Sequence, residues 1–149
     1  MPLVLIVGGP SSGKTQLALK LKEYLEKEKM KEVVLINEEY LQVIKEECYK
    51  DSTSEKMHRA KLKSEVEKHL DDKSVVILDS LNYIKGYRYE LFCLVRNFKT
   101  RHCLVYSKLD LETCMKYNTY TNTYSANLLK DLYSRMEEPN ASSKKIFNI

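Results

Sequence analysis

The chain has 149 residues, 31% of them charged, with 25 basic against 21 acidic side chains and a net charge of +4. That length suits one domain with a sizeable core, and so small a basic excess permits RNA or another anionic partner without arguing for one. No apolar stretch approaches the ~20 residues of a membrane-spanning helix, so no membrane partner is expected.

From the N-terminus, Leu3-Val-Leu-Ile-Val7 reads as a short buried strand, and because it begins at once no signal peptide is expected ahead of it. Gly8-Gly-Pro-Ser-Ser-Gly-Lys-Thr15 follows directly and matches the phosphate-binding pattern G-x4-G-K-[ST] between a strand and a helix. Gly8 and Gly13 let the backbone curl so that the N–H groups around Pro10, Ser11 and Ser12 face phosphate oxygens. The helix start adds the positive end of its dipole. Lys14 reaches the β- and γ-phosphates and the Thr15 hydroxyl is placed for Mg²⁺, so ATP and Mg²⁺ are the expected cofactors.

Leu17, Leu21 and Leu25 recur every four residues and predict a helix with one buried stripe. Residues 33–36 form the second apolar strand. Glu38 and Glu39 stand just after it, where a carboxylate can take a proton from an attacking hydroxyl or water, and Glu38 is the preferred catalytic candidate because it is nearer the strand. Residues 38–48 have a weak helical pattern. Asp51-Ser-Thr-Ser54 is a polar break whose Ser54 is expected to cap a helix carrying Leu62, Val66 and Leu70.

Val75-Val-Ile-Leu78 is the third strand and ends in Asp79, the acid expected to hold Mg²⁺ together with Thr15. The loop that follows carries Asn82, Lys85 and Arg88 among three tyrosines. Arg88 is the candidate for stabilising a transferring phosphoryl group, and the tyrosines for stacking on a base. A short helix over residues 89–98, a fourth strand over 103–106, helices over 111–117 and 127–136 and an incomplete strand over 146–149 complete the pattern. Strands alternating with amphipathic helices predict an α/β fold, a parallel sheet of about five strands covered by helices on both faces. The four cysteines show no C-x-x-C pair and, with the three histidines, no zinc-type spacing, so they read as thiols in a reducing compartment.

The stretch Asp79-Ser-Leu-Asn-Tyr-Ile-Lys-Gly-Tyr-Arg-Tyr-Glu-Leu91 closely resembles a signature of the Elongator-associated ATPases, the killer-toxin-insensitivity factors required for wobble-uridine modification of tRNA. Gly-Pro-Ser-Ser-Gly-Lys-Thr, Glu55-Lys-Met-His-Arg-Ala60 and Arg135-Met-Glu-Glu-Pro-Asn140 match further blocks of that family, in the same order. The chain also resembles phosphoseryl-tRNA kinase, a sister family. The likeness implies a P-loop kinase-type core with a mobile lid, tRNA-stimulated ATP hydrolysis, association with the Elongator complex, and a cytoplasmic or nuclear setting. It makes Lys14, Thr15 and Asp79 the nucleotide and Mg²⁺ residues, and Arg59, Arg88 and Arg135 candidates for phosphate or lid contacts.

Two departures stand out. Relatives carry an Asp-Glu-Ser-like sequence where this chain has Glu38-Glu39-Tyr40, and an Arg-Trp-Asp-like stretch where it has Ala-Ser-Ser-Lys-Lys. Residues 1–149 are therefore expected to be the ATPase domain, with the family's tRNA-binding domain missing after Ile149 and tRNA binding by this chain alone weak. Three readings follow: an ATPase accessory to Elongator, a tRNA or small-RNA kinase, and a nucleotide-gated interaction module with little turnover.

Overall fold

The computed structural model describes residues 2–70 and 73–139. Four strands form one parallel sheet in the order β2-β3-β1-β4: β1 (Leu3–Gly8), β2 (Glu32–Ile36), β3 (Ser74–Asp79) and β4 (His102–Ser107). The residues expected as a fifth strand, 146–149, lie outside the described residues. β1 and β3 are buried along their whole length, as strands covered on both faces must be.

Alternation along β1 assigns the two layers. Leu3, Leu5 and Val7 pack with Leu62 and Val66 of α3 (Ser52–His69), with Leu70 just past its end, and with Tyr87, Leu91, Leu94 and Val95 of α4 (Lys85–Asn97). Val4 and Ile6 face the other way, against Ala18 and, around it, Leu21 and Leu25 of α1 (Lys14–Glu28). The stripe on α1 is thus Ala18, Leu21 and Leu25, whereas Leu17 is 37% exposed. At 100° per residue, Ala18 shares a face with Leu21 and Leu25, and its small side chain lets the helix approach the sheet.

A third apolar cluster sits at the carboxyl ends of the strands. It joins Cys48 of α2 (Lys45–Cys48), Tyr49, Leu81, Tyr83 and Tyr124 with Leu129 and Leu132 of α6 (Ala126–Ser134). The remaining helix, α5 (Leu111–Thr121), lends Leu111 and Met115 to its edge.

Two local expectations change. Residues 38–44 form a compact turn: the Asn37 side chain accepts from the Tyr40 N–H at 2.9 Å, and Gln42 is left-handed with φ 57°, which stops a helix from propagating. The cap of α3 is Asp51, whose carboxylate accepts from the Ser54 N–H at 2.7 Å, so Ser54 supplies the donor and lies inside the helix.

Candidate functional site

α1 leaves β1 toward one face of the sheet and α4 leaves β3 toward the other, so a crevice opens where these neighbouring strands end. The P-loop occupies it. The two glycines singled out in the sequence have different physical reasons. A Cβ on Gly8 would lie 2.6 Å from Ser12 Oγ and 2.7 Å from the Ser107 carbonyl, so only glycine fits. Gly13 has open space but a φ of 80°, which other L-residues adopt only with strain. Ser107 of β4 donates to the Ser12 carbonyl at 2.6 Å and Ser11 to Asn118 at 3.3 Å, pinning the loop from two sides.

A cleft of about 490 Å³ opens over this loop, lined by residues 11–16, Lys45 and the end of α5 through Tyr124. Gly8 and Pro10 are buried within the loop itself. Lys14 is buried and donates to the Gly9 carbonyl at 2.5 Å and to Ser12 Oγ at 3.3 Å. Burial pushes its ammonium down to about 8, against the pull of Asp79. Thr15 donates to Asp79 Oδ2 at 2.8 Å, so the two residues expected at the metal do meet. Burial raises the Asp79 carboxyl above its ordinary value, despite that hydrogen bond and the Lys14 charge. The described residues hold no group of three or more His, Cys, Asp or Glu able to bind a metal. One hydroxyl and one carboxylate still fit Mg²⁺, which draws most of its octahedron from water and substrate phosphates.

Glu38 lies beside these groups and is 3% exposed. One of its oxygens, Oε1, accepts from Ser80 at 2.7 Å and from Tyr49 at 3.2 Å, and lies 3.0 Å from His58 Nε2. Burial works to raise this carboxyl, but the His58 and Ser80 hydrogen bonds and the Lys45 charge outweigh it and hold it at about 2. So acidic a group is a weak proton acceptor; what it brings to the cleft is fixed negative charge and orientation. Because its folded value is depressed, Glu38 contributes stability that is present above about pH 4.5 and is lost as the pH falls toward about 2. Glu38→Gln should therefore flatten the acid limb of a plot of urea midpoint against pH in that window. An unchanged acid limb would mean that Glu38 is not the carboxylate held low.

The expected arginines have other occupations. Arg88 is 1% exposed, donates to the Asn82 carbonyl at 2.9 Å and the Glu137 carbonyl at 2.8 Å, and none of its hydrogen bonds reaches the P-loop. Arg135 pairs with Glu55 through both terminal nitrogens, at 2.7 and 3.1 Å, and lies over the Tyr83 ring. Arg59 reaches the Tyr83 hydroxyl at 3.5 Å and its carbonyl accepts from Tyr87. Blocks far apart in sequence thus lock to one another: the Glu137 N–H donates to the Tyr83 carbonyl, and its carboxylate accepts from the Lys85 N–H. Of the loop tyrosines, Tyr83 and Tyr87 are buried in this packing. The aromatic residues that line the cleft are Tyr117, Tyr120 and Tyr124, at the end of the helix expected over 111–117 and in the connection after it. Their recurrence over Tyr117-Asn-Thr-Tyr-Thr-Asn-Thr-Tyr124 was the available signal.

Residues 1–145 match the family described as chromatin associated protein KTI12. A KTI12 homolog of Danio rerio is 40% identical over 97% of this chain and 54% of its own length. KTI12 of Saccharomyces cerevisiae is 37% identical over 97% of this chain and 49% of its own. The chain spans about half the length of these curated relatives. Among solved structures, Chaetomium thermophilum Kti12 in complex with ADP-AlF3 superposes with a TM-score of 0.87 and 34% identity, over 95% of this chain and 83% of that one. The Mycobacterium tuberculosis APS kinase CysC, at 13% identity and a TM-score of 0.73, over 93% of this chain and 83% of that one, shares the fold alone. With a nucleotide-binding cleft on a P-loop kinase-type α/β sheet, the chain belongs to the KTI12 family.

Proposed function

We propose that this domain binds ATP with Mg²⁺ and hydrolyses it, and that it serves the Elongator complex in wobble-uridine modification of tRNA, in the cytoplasm or nucleus. The observation that carries the catalytic part is the contact of Thr15 with Asp79 beside buried Lys14 and Glu38. Likeness to a Kti12 bound to ADP-AlF3 supports it, because AlF3 beside ADP stands in for a phosphoryl group in flight. The Elongator and tRNA part rests on the family motifs, whose blocks pack against one another.

Thr15 and Asp79 would hold the metal, which would supply positive charge against the phosphates. Lys14 turns from the Gly9 carbonyl to those oxygens. Glu38, held ionised by its donors, orients the attacking water and leaves its proton to solvent. Tyr117 and Tyr120, both exposed on the cleft wall, offer the base a stacking surface. Tyr120→Ala should weaken ATP and ADP binding about 10-fold, the loss of a single base stack, and leave turnover at saturation unchanged. Equal affinities in a titration would place the base elsewhere.

The deciding experiment incubates the protein with γ-labelled ATP, with and without tRNA. Free phosphate supports hydrolysis, labelled RNA supports a kinase, and tight binding with neither product supports a nucleotide-gated module. With a net charge of only +4, little stimulation by tRNA is expected from this chain alone.

A further inference from the structure

We propose that Lys45 is a second catalytic cation of the cleft, contacting the terminal phosphoryl group as it leaves the nucleotide. The proposal rests on the hydrolytic reading above and gives one of its residues a role. Lys45 is the first residue of α2, just past the turn that carries Glu38. Its side chain lines the same cleft as the P-loop, where Lys14 is the other cationic lining residue among the described residues. Lys14 has partners inside the loop, whereas no hydrogen bond or ion pair engages the Lys45 ammonium among the described residues.

Three observations point that ammonium at the reacting centre. Its side chain shares the cleft wall with Lys14 and Thr15, and its charge is felt at Lys14, Asp79 and Glu38. The half-buried Lys45 and the buried Lys14 are both cationic, so a triphosphate entering the cleft meets two positive charges rather than one. The arginines that could have filled the role are spent, Arg88 on carbonyls and Arg135 on Glu55.

α2 also holds Lys45 in place without needing its charge. Cys48 and Tyr49 bury themselves in the cluster at the strand ends, while neighbouring Ile44 is 71% exposed. In the reaction the water oxygen bonds to the γ-phosphorus and the bond from that phosphorus to the bridging oxygen breaks. The electron pair stays on ADP and the water's proton passes to solvent. Negative charge moves onto oxygens within reach of both lysines, so a cation there favours the transition state over the ground state.

The test compares ADP binding with and without aluminium fluoride for the parent, Lys45→Ala and Lys45→Arg, by calorimetry, alongside single-turnover hydrolysis. Lys45→Ala should bind ADP within about 3-fold of the parent, lose ~30-fold or more of the tightening that fluoroaluminate adds, and slow hydrolysis about 100-fold. Lys45→Arg should recover part of both. Equal tightening in Lys45→Ala and the parent would overturn the role of Lys45 alone. So would a loss of ADP affinity and of melting temperature as large as the loss of tightening, which marks a structural residue. A parent that neither tightens nor hydrolyses would instead overturn the hydrolytic reading, and Lys45 would fall with it.

Discussion

Lys14→Met should abolish ATP hydrolysis, by 100-fold or more, and leave the melting temperature of the nucleotide-free protein at or above the parental value. The ammonium is buried, and its fall from 10.5 to about 8 shows that folding works against its charge. A depression of that size corresponds to roughly 3 kcal/mol at neutral pH, already net of the attraction to Asp79. Because this folded value lies below the unfolded one, the cost is present below about pH 8 and fades as the pH rises toward 10.5. Parent and variant stabilities should therefore converge over that window. Urea unfolding at several pH values, beside a phosphate-release assay, checks both halves. A variant that hydrolyses at the parental rate removes the P-loop lysine from the chemistry, and one that melts several degrees lower makes Lys14 a structural residue.

Arg88→Ala should cost about 3–5 kcal/mol of stability, roughly 10 °C in melting temperature for a domain of this size. The side chain is among the largest fully buried ones, and its removal leaves a cavity and orphans the Asn82 and Glu137 carbonyls. Arg88→Lys should recover little, because one ammonium does not reproduce a planar fork that meets two carbonyls in different directions. Turnover per folded molecule should stay within a few-fold of the parent. Loss of turnover by 100-fold with the melting temperature intact would instead return the guanidinium to the phosphate.

The parts of the site that were legible in the sequence are those fixed by chain neighbours. A strand, a glycine-bounded loop and a helix start are all local, so residues 8–15 announced themselves, and an acid closing an apolar run did the same for Asp79. Thr15 meets Asp79 across 64 positions because β1 and β3 are paired in register; alternation implied a parallel sheet but not this strand order.

What the sequence hid depends on contacts that no spacing encodes. Glu38 was singled out, but what holds its carboxyl low is His58, Lys45 and Ser80, none of them its neighbour in the chain. Arg88 was taken for an active-site group because a polar cluster looks like one. Its acceptors are backbone carbonyls, invisible in side-chain composition, and one lies 49 positions away. Lys45 fell inside a stretch that looked weakly helical, and only the left-handed turn at Gln42 swings it toward the cleft. Arg135 is expected at the phosphates or a lid, whereas its partner here is Glu55, 80 positions earlier.

The sheet order sets a timetable for synthesis. Among the described residues β1 precedes the other strands yet pairs only with β3 and β4, and β2 pairs only with β3. No two strands can join until residues 74–79 have left the ribosome, about 70 residues after β1, a wait of roughly 4–14 s at ordinary elongation rates. Through that interval Leu3-Val-Leu-Ile-Val7 is an apolar segment with no described strand to pair with. The strand that ends the wait also delivers Asp79 at its last position, so the sheet closes and the carboxylate reaches Thr15 in a single event.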